Sequence, residues 1–208
     1  MYWVGGGSGA GKSTISRRLA RDFTLQRYDT DAAMTGHARD LAPTDAPLLH
    51  DFLRKSMDER WLEPTPSEML ESFHWFAGEG FELIVRDLVA MAAHGATVAE
   101  GFRLLPRLVA PLLDDRRAAV WLLPTAEFRR QTFEWRASSR EIAGRTSDPP
   151  RALDNLLARD HLFTQRLRAE LDDLGLAAID VDLGDTDDDV YARVTAALHL
   201  PGATARHT

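Results

Sequence analysis

The sequence predicts an α/β fold in which a five-stranded parallel sheet lies between two layers of helices. Five short β-rich runs alternate along the chain with longer segments of helical pattern. This alternation is typical of parallel sheets, because parallel neighbours need a crossover connection that is usually a helix. The 208 residues, 44% of them hydrophobic, suffice for a sizeable core. We therefore predict a single domain over residues 1–200, followed by a C-terminal tail over 201–208.

The predicted strands are short and the predicted helices vary in length. The β-rich runs lie at 2–4, 25–28, 97–99, 119–123 and 178–181. Helical patterns cover 13–22, 46–61, 66–93, 125–140, 150–174 and 187–199. The third pattern is interrupted near Gly78 and Gly80, after which apolar residues follow helical spacing. The last helix opens with Asp187 and two further aspartates, which suit a helix N-terminus.

Composition excludes several classes of protein. The chain has no cysteine, which excludes disulfides and cysteine-ligated metal sites. No apolar run approaches the roughly 18 residues of a membrane-spanning helix, and the N-terminus lacks a signal-peptide pattern. A net charge of −7 disfavours general binding to nucleic acid or to an anionic membrane. We expect a cytoplasmic protein that binds neither nucleic acid nor membrane.

A glycine-rich stretch between the first strand and the first helix has the spacing of a phosphate-binding loop. It matches G-x-x-x-x-G-K-[ST] and consists of Gly6, Gly7, Ser8, Gly9, Ala10, Gly11, Lys12 and Ser13, followed by Thr14. The glycines let consecutive backbone N–H groups surround a phosphate, and the helix N-terminus favours the same anion. In this spacing Lys12 reaches the outer phosphates and the Ser13 hydroxyl is a ligand of Mg²⁺.

The lysine in this loop stands out in the composition. Only Lys12 and Lys55 are lysines among the 25 basic residues. Nearly all other basic residues are arginines. The glycine-rich loop therefore contains a compact ammonium group on a flexible stem, where most of the chain has planar guanidinium groups. The alternative interpretation is a glycine-rich turn that matches the pattern by chance. The rarity of lysine favours a phosphate-binding loop over a chance match.

Two aspartates follow the second strand in the sequence LQRYDTDAA. We predict that both residues lie at the end of a short strand, where the period of two directs the carboxylates of Asp29 and Asp31 to the same side, towards the site. A glycine-rich loop followed by a strand that ends in D-T-D resembles the small P-loop kinases of the shikimate and gluconate kinase type. This resemblance implies that Asp29 helps to hold hydrated Mg²⁺ beside Ser13, and that Asp31 orients the acceptor hydroxyl or acts as its base. The alternative is that one aspartate caps the next helix.

The third strand ends in Glu100, followed closely by Arg103. An acid at this strand end is expected to contact Mg²⁺ through water or a hydroxyl of the substrate. Arg103 is a candidate for binding an anionic or polar group of the substrate. A purely structural alternative is that Glu100 and Arg103 pair with each other. Other small P-loop kinases carry an acid at this point, whereas shikimate kinases carry a glycine run.

An arginine-rich segment follows the fourth strand, over about 125–150. Family members carry a mobile lid here, and the resemblance implies that Arg129 or Arg130 lies beside the adenine. It also implies that Arg136 or Arg140 contacts the transferring phosphoryl group, where a cation stabilises developing charge. Arg159, in the next helix, is a further candidate. The alternative for each arginine is a solvated helix face with glutamate partners at helical spacing.

The acceptor pocket is predicted between the aspartates and the third strand, over about 32–95. Aromatic residues of this stretch fit either a core or a pocket for a ring-bearing acceptor: Trp61, Phe73, Trp75, Phe76 and Phe81. A nucleotide acceptor would need convergent arginines, and the stretch offers only Arg39, Arg54, Arg60 and Arg86.

Together these patterns predict an ATP- and Mg²⁺-dependent kinase that phosphorylates a hydroxyl group of a small molecule. Within the enzyme class, the alternative is a nucleoside or nucleotide kinase, since the resemblance extends to those P-loop enzymes. In another class, the alternative is a nucleotide-binding regulatory switch that hydrolyses ATP slowly. The second aspartate, Asp31, favours the kinase, because a switch has no acceptor to orient.

Overall fold

The computed structural model describes residues 1–135 and 141–200. Its sheet has five strands, all parallel, in the spatial order β2-β3-β1-β4-β5. The strands are β1 (Tyr2–Gly6), β2 (Gln26–Asp29), β3 (Thr97–Glu100), β4 (Ala119–Pro124) and β5 (Ala177–Val181). The predicted α/β fold with a five-stranded parallel sheet is thus confirmed.

Helices cover both faces of the sheet. Their bounds are α1 (Lys12–Phe23), α2 (Thr30–Asp40), α3 (Pro47–Arg54), α4 (Met57–Trp61), α5 (Pro66–Ser72), α6 (His74–Ala77), α7 (Phe81–Ala92), α8 (Pro106–Val109), α9 (Ala126–Trp135), α10 (Pro149–Leu174) and α11 (Asp187–Ala197). Short 3₁₀ segments follow α8 at Ala110–Leu112 and precede β4 at Arg116–Ala118.

Strand alternation divides the interior into two cores. On β4, Trp121 faces the core formed with α7, α8 and α10, whereas Val120 and Leu122 face the core formed with α1 and α11. On β1, Trp3 and Val4 divide in the same way. Side chains that alternate between two buried faces are expected of a central parallel strand, and they account for the nearly continuous apolar sequence of β4.

Local capping explains several helix starts. Thr186 caps α11 and forms a reciprocal capping box with Asp189, as the aspartate run predicted. Two further capping boxes start α4 and α5, at Ser56 and Thr65. The predicted helix 46–61 is divided at the Ser56 cap, whereas the predicted helix 66–93 is divided at Phe73 and at Gly80, neither of which provides a side-chain cap. The predicted break near Gly78 and Gly80 is confirmed, since both glycines have positive φ and flank the gap between α6 and α7.

The order of the strands fixes where a ligand is expected. After β1 the chain crosses to β2 at one edge of the sheet, whereas after β3 it crosses to β4 on the other side. The loops that follow β1 and β3 therefore leave in opposite directions and open a crevice between these adjacent strands. Open α/β sheets bind ligands at such a switch point, at the carboxyl ends of the strands. None of the helices in the described ranges is long and apolar enough to cross a membrane.

Candidate active site

The glycine-rich loop connects β1 directly to α1 at this crevice. Gly6 has φ of 128°, and a Cβ atom there would lie 2.0 Å from the carbonyl oxygen of Leu122. Only glycine fits this close approach, which holds the start of the loop against β4. The N-cap of α1 is Gly11, which uses no side chain as a cap, and a Cβ atom there would meet nothing within 4 Å. The backbone at the start of α1 is therefore open to the crevice, where an anion can approach it.

Lys12 lies within the loop, although it is the first residue of α1. Its side chain is buried, and Nζ donates a hydrogen bond of 2.8 Å to the carbonyl oxygen of Gly7. The ammonium group is thus held over the centre of the loop rather than in bulk solvent. A positive charge in this position, next to a helix N-terminus, makes the crevice attractive to anions.

Ser13 and Glu100 meet across the crevice. The Ser13 hydroxyl donates to Oε2 of Glu100 at 3.1 Å, and only 1% of Glu100 is exposed. Burial raises the pKa of Glu100, and the carboxylates of Asp29 and Asp31 raise it further, while Ser13 and Lys12 lower it. Two oxygen ligands of the type that Mg²⁺ prefers are therefore neighbours.

The partner that neutralises Glu100 is Arg27, not Arg103. Nη1 of Arg27 lies 2.6 Å from Oε1 of Glu100 and 3.3 Å from Oδ2 of Asp29. The pairing of β2 with β3 explains this contact, because Asp29 lies opposite Glu100 in the register. The predicted alternative, a pair between Glu100 and Arg103, does not occur among the described ion pairs.

The two aspartates of the D-T-D sequence occupy different elements. β2 ends at Asp29, and Asp31 lies in the first turn of α2, so the prediction of a strand running through both residues is wrong. Oδ1 of Asp29 caps α2 by accepting from the backbone N–H groups of Asp31 (3.0 Å) and Ala32 (3.1 Å). The capping alternative therefore applies to Asp29, whose second oxygen still faces Arg27.

Asp31 lines the cavity that begins at the glycine-rich loop. Asp31 is exposed to solvent in the cavity, but the protein atoms that surround its carboxylate raise its pKa, which Asp29 raises further and Lys12 lowers. The structure therefore brings together Lys12, Ser13 and Asp31 along one cavity wall. Asp29 and Glu100 are not among the described lining residues, and they lie opposite each other at the ends of β2 and β3.

Arg103 does not line the cavity in the described part of the chain. It is buried, and its guanidinium donates to the carbonyl oxygens of Thr30 and Gly80 and contacts Nδ1 of His37 at 3.0 Å. It also lies 4.0 Å above the ring of Trp75, and burial lowers its pKa to about 10. Every one of these contacts is internal, so Arg103 supports the start of α2 rather than facing a substrate.

A series of hydrogen bonds, not predicted from the sequence, continues from Arg103 through His37. Nε2 of His37 lies 2.8 Å from Oδ2 of Asp87, which also accepts from the Tyr28 hydroxyl at 2.7 Å. Through these contacts α2 is tied to β2 and to α7. Because Asp31 starts α2, the chain of hydrogen bonds fixes the backbone that carries it.

The cavity has a volume of about 450 Å³ and two chemically different walls. One wall is the glycine-rich loop with Lys12, Ser13 and Asp31. The other wall, which we call the aromatic wall, consists of Phe52, Trp61, Phe73, His74, Trp75, Phe76 and Phe102. Most of the aromatic residues predicted for core or pocket thus line the cavity. Phe81 instead packs against the core beside α7.

Arg159 and Asp160 also line the cavity. Nε and Nη2 of Arg159 donate to one carboxylate oxygen of Asp160 at 3.0 and 2.6 Å, and both side chains are buried. The guanidinium lies 5.0–5.2 Å from the rings of Trp61, Phe73 and Phe76. Among the described residues, Nη1 of Arg159 and Oδ2 of Asp160 have no hydrogen-bond partner. This pair therefore retains one donor and one acceptor that a bound molecule can use.

His74 contributes a further unpaired polar atom. The residue is 3% exposed, lines the cavity, and its Nδ1 has no hydrogen-bond partner within the described part of the chain. Its ring packs against those of Phe52, Phe73 and Trp75, with centroids 4.5–5.0 Å apart. Burial, with Arg103 and Arg60 nearby, lowers the pKa of His74 to about 3. The imidazole is therefore neutral at physiological pH.

The arginines that the resemblance assigns to a lid fall into two groups. Arg136 and Arg140 lie outside the described residues. Arg129 is buried behind the glycine-rich loop, where its guanidinium donates to the carbonyl oxygen of Pro124 and to the hydroxyl of Thr164. Arg129 is not among the described residues that line the cavity, whereas its neighbour Arg130 is exposed to solvent. Of the two residues expected beside the adenine, Arg130 is the one that solvent reaches.

Gly101 fixes the turn after β3 against the start of α2, which leads to a stability prediction. Its φ is 142°, and a Cβ atom there would lie 1.7 Å from Oγ1 of Thr30. We expect Gly101→Ala to lower the free energy of unfolding by about 1–3 kcal/mol. The matched control is Gly36→Ala within α2, where a Cβ atom meets nothing within 4 Å and helix propensity predicts a gain of about 0.5–1 kcal/mol. Urea unfolding measures both, and equal stability of the two variants would contradict this description of the turn.

A comparison of the chain with protein-family models and with curated protein sequences finds no match. The fold and the site geometry therefore carry the argument about function.

Proposed function

We propose that this protein is an ATP- and Mg²⁺-dependent kinase that transfers the γ-phosphate to a hydroxyl group of a small molecule. The observation that carries the proposal is the shared cavity. Lys12, Ser13 and Asp31 lie on one wall, and the other wall is suited to a small organic molecule. A donor site and an acceptor site in one cavity are the geometry that direct transfer requires.

The loop fits the phosphates of ATP. The backbone at the start of α1 is open to the crevice, and the ammonium group of Lys12 is held within the loop by Gly7. On phosphate binding, Lys12 would exchange the Gly7 carbonyl for phosphate oxygens, which are stronger acceptors because they are charged. The N-terminus of α1 would add its dipole to the same anion.

The residues around Ser13 also fit Mg²⁺. Ser13 and Glu100 offer hard oxygen ligands, and Asp29 lies at the neighbouring strand end. No cluster of three or more acidic or histidine side chains able to hold a metal occurs in the described residues. The few ligands at Ser13, Glu100 and Asp29 suit Mg²⁺, which binds a small number of protein groups and completes its coordination with phosphate oxygens and water. When bound, Mg²⁺ neutralises charge on the transferring phosphates.

Asp31 is the group that would receive the acceptor. Its carboxylate faces the cavity from the first turn of α2, close enough to Lys12 for the ammonium charge to lower its pKa. In this position it accepts a hydrogen bond from the attacking hydroxyl and holds that oxygen towards the γ-phosphate. As the proton is lost, the carboxylate can take it.

Arg159 is the described arginine best located to act on the transferring group. It lines the cavity, and its Nη1 is unpaired among the described residues. A guanidinium there would stabilise the negative charge that develops in transfer. Arg136 and Arg140 remain proposals for the same role, as lid arginines. Arg129 is better suited to supporting the loop from behind, through Thr164.

Two alternatives are less well supported by the geometry. A nucleotide acceptor needs cations, but Arg39, Arg54, Arg60 and Arg86 are not among the described residues that line the cavity. A nucleotide-binding switch needs neither Asp31 to orient an acceptor nor the aromatic wall beside the phosphates. Because ATP is a cytoplasmic metabolite, we infer that the chain acts in the cytoplasm on a small-molecule partner rather than on nucleic acid.

The experiment that tests the proposal is a search for the product. The protein is incubated with ATP, Mg²⁺ and a fractionated metabolite extract, and mass spectrometry identifies compounds that gain one phosphoryl group. We expect at least one such compound, absent when Mg²⁺ is chelated. ATP binding without any phosphorylated compound would instead favour the regulatory switch.

The pKa of Asp31 leads to a prediction for pH dependence. The carboxylate must be ionised to accept the hydroxyl hydrogen bond, and its raised pKa means that it is protonated at higher pH than an ordinary aspartate of pKa 3.8. We expect kcat/KM for the acceptor to fall as the pH is lowered, with a midpoint above 3.8. The pH profile of the initial rate measures it. A midpoint at or below the ordinary value would contradict the environment described for Asp31.

A further inference from the structure

We propose that the acceptor is an uncharged aromatic compound that carries a hydroxyl group and inserts its ring against the aromatic wall. This inference rests on the proposed function, since it names the substrate of the same cavity. It depends on three observations: the arrangement of the rings, the balance of charge around the cavity, and the unpaired nitrogen of His74.

The rings of the aromatic wall meet mostly edge to face. Phe73 lies 5.6 Å from Phe52 and 4.8 Å from Phe76, with interplanar angles of 68° and 78°. Phe102 meets Phe76 at 5.8 Å and 87°. A wall built in this way presents both faces and edges to the cavity, and edge-to-face or offset contacts are the preferred geometries for a further aromatic ring.

The charges at the cavity leave little attraction for a charged acceptor. Lys12 belongs to the phosphate site, and the charge of Arg159 is balanced by its direct pair with Asp160. Among the arginines of the acceptor region, Arg54 pairs with Asp51, and Arg86 pairs with Asp40 and Asp87. Arg60 lies over the ring of Phe52 and donates to the carbonyl oxygen of Leu53, without being among the described residues that line the cavity. An anionic acceptor would also meet the carboxylate of Asp31, so an uncharged molecule fits best.

His74 supplies specificity without charge. Its Nδ1 is buried without a partner among the described residues, and a buried polar atom in that state destabilises the protein unless a ligand satisfies it. Because the ring stays neutral, it can exchange a hydrogen bond with a hydroxyl or N–H group of the acceptor. The cavity volume of about 450 Å³ lies at the lower end of the roughly 300–1,000 Å³ that holds drug-sized ligands, and it must also admit phosphate. A small acceptor is therefore expected.

Matched probes test this inference. The aromatic alcohols are 2-phenylethanol, 2-(4-hydroxyphenyl)ethanol and 2-(indol-3-yl)ethanol. Two controls each change one property: 2-cyclohexylethanol keeps the alcohol without the aromatic ring, and 2-hydroxy-3-phenylpropanoate keeps both the ring and a hydroxyl group but adds a charged carboxylate. Binding is measured by saturation-transfer NMR titration with Mg²⁺ and a non-hydrolysable ATP analogue present. We expect at least one aromatic alcohol to bind about fivefold or more tightly than both controls.

Two variants locate the binding. Phe102→Leu removes a ring of the aromatic wall, whereas Phe81→Leu removes a ring that packs on the same core without lining the cavity. His74→Phe keeps the stacking and removes the nitrogen. We expect Phe102→Leu and His74→Phe to weaken binding of the aromatic alcohols several-fold, and Phe81→Leu to leave it unchanged. The affinity for the ATP analogue should be the same in all three.

The outcomes separate this inference from the proposed function. If the ATP analogue binds but the aromatic alcohols bind no better than the controls, the acceptor class is wrong and the kinase proposal stands. The acceptor class is also wrong if Phe81→Leu weakens binding as much as Phe102→Leu. If the ATP analogue does not bind at all, the kinase proposal is wrong, and the assignment of an acceptor fails with it.

Discussion

Replacing Lys12 with alanine is expected to lower the rate of phosphoryl transfer at saturating ATP about 10²- to 10³-fold. Lys12 is the cation held within the glycine-rich loop, with Nζ 2.8 Å from the Gly7 carbonyl oxygen. In transfer, a preorganised cation stabilises the charge that develops on the phosphates, and removing one such group typically has an effect of this size. Initial rates with wild-type and variant protein measure it.

The chain contains its own control for this variant. Lys55 is the other lysine, and it pairs with Asp51 at the end of α3, away from the described cavity lining. Lys55→Ala should transfer phosphate at the wild-type rate. A similar loss in both variants would mean that the effect comes from lost stability or charge in general, and a Lys12→Ala protein with near-normal activity would contradict the role of the loop.

Replacing Asp31 with asparagine is expected to lower transfer to the acceptor about 10²- to 10⁴-fold while leaving ATP affinity nearly unchanged. Asparagine keeps the shape of the side chain, but it cannot accept the hydroxyl proton. Because Oδ1 of Asp29 caps α2, the helix start does not depend on the carboxylate of Asp31. Separate measurements of kcat and of the dissociation constant for ATP distinguish the two effects.

Asp40→Asn is the matched control, since Asp40 ends the same helix and is exposed in a pair with Arg86. It should behave as wild type. If Asp31→Asn and Asp40→Asn were equally active, Asp31 would have no part in transfer, and the regulatory switch would become the better account of the site.

The sequence was most informative where structure depends on neighbours along the chain. The glycine-rich loop, α1 and β4 are each encoded within about a dozen residues, because spacing and apolar pattern are sufficient there. The helix α2 was not predicted. Its start depends on the side chain of Asp29, which acts as the N-cap. In the sequence alone, an aspartate after a strand is compatible both with a cap and with continuation of the strand.

Contacts between distant segments could not be read from the sequence. Glu100 is adjacent to Arg27 only because β2 lies next to β3, whereas Arg103 is three residues away along the chain and yet turns towards His37. The position of the aromatic residues predicted for core or pocket depends on the packing of α4 and α5 against α10, which is distant from them in the sequence. Nothing in the sequence around His74 indicates that its ring carries an unpaired nitrogen at a cavity.

The central claim is that the γ-phosphate of ATP passes within one cavity to an organic hydroxyl. The most direct test follows γ-labelled ATP in the presence of Mg²⁺ and a metabolite extract, and compares the label recovered in organic compounds with that recovered as inorganic phosphate. We expect label in an organic compound with the wild-type protein, and little or none with Lys12→Ala. Label recovered only as inorganic phosphate, at equal rates with and without extract, would contradict the claim.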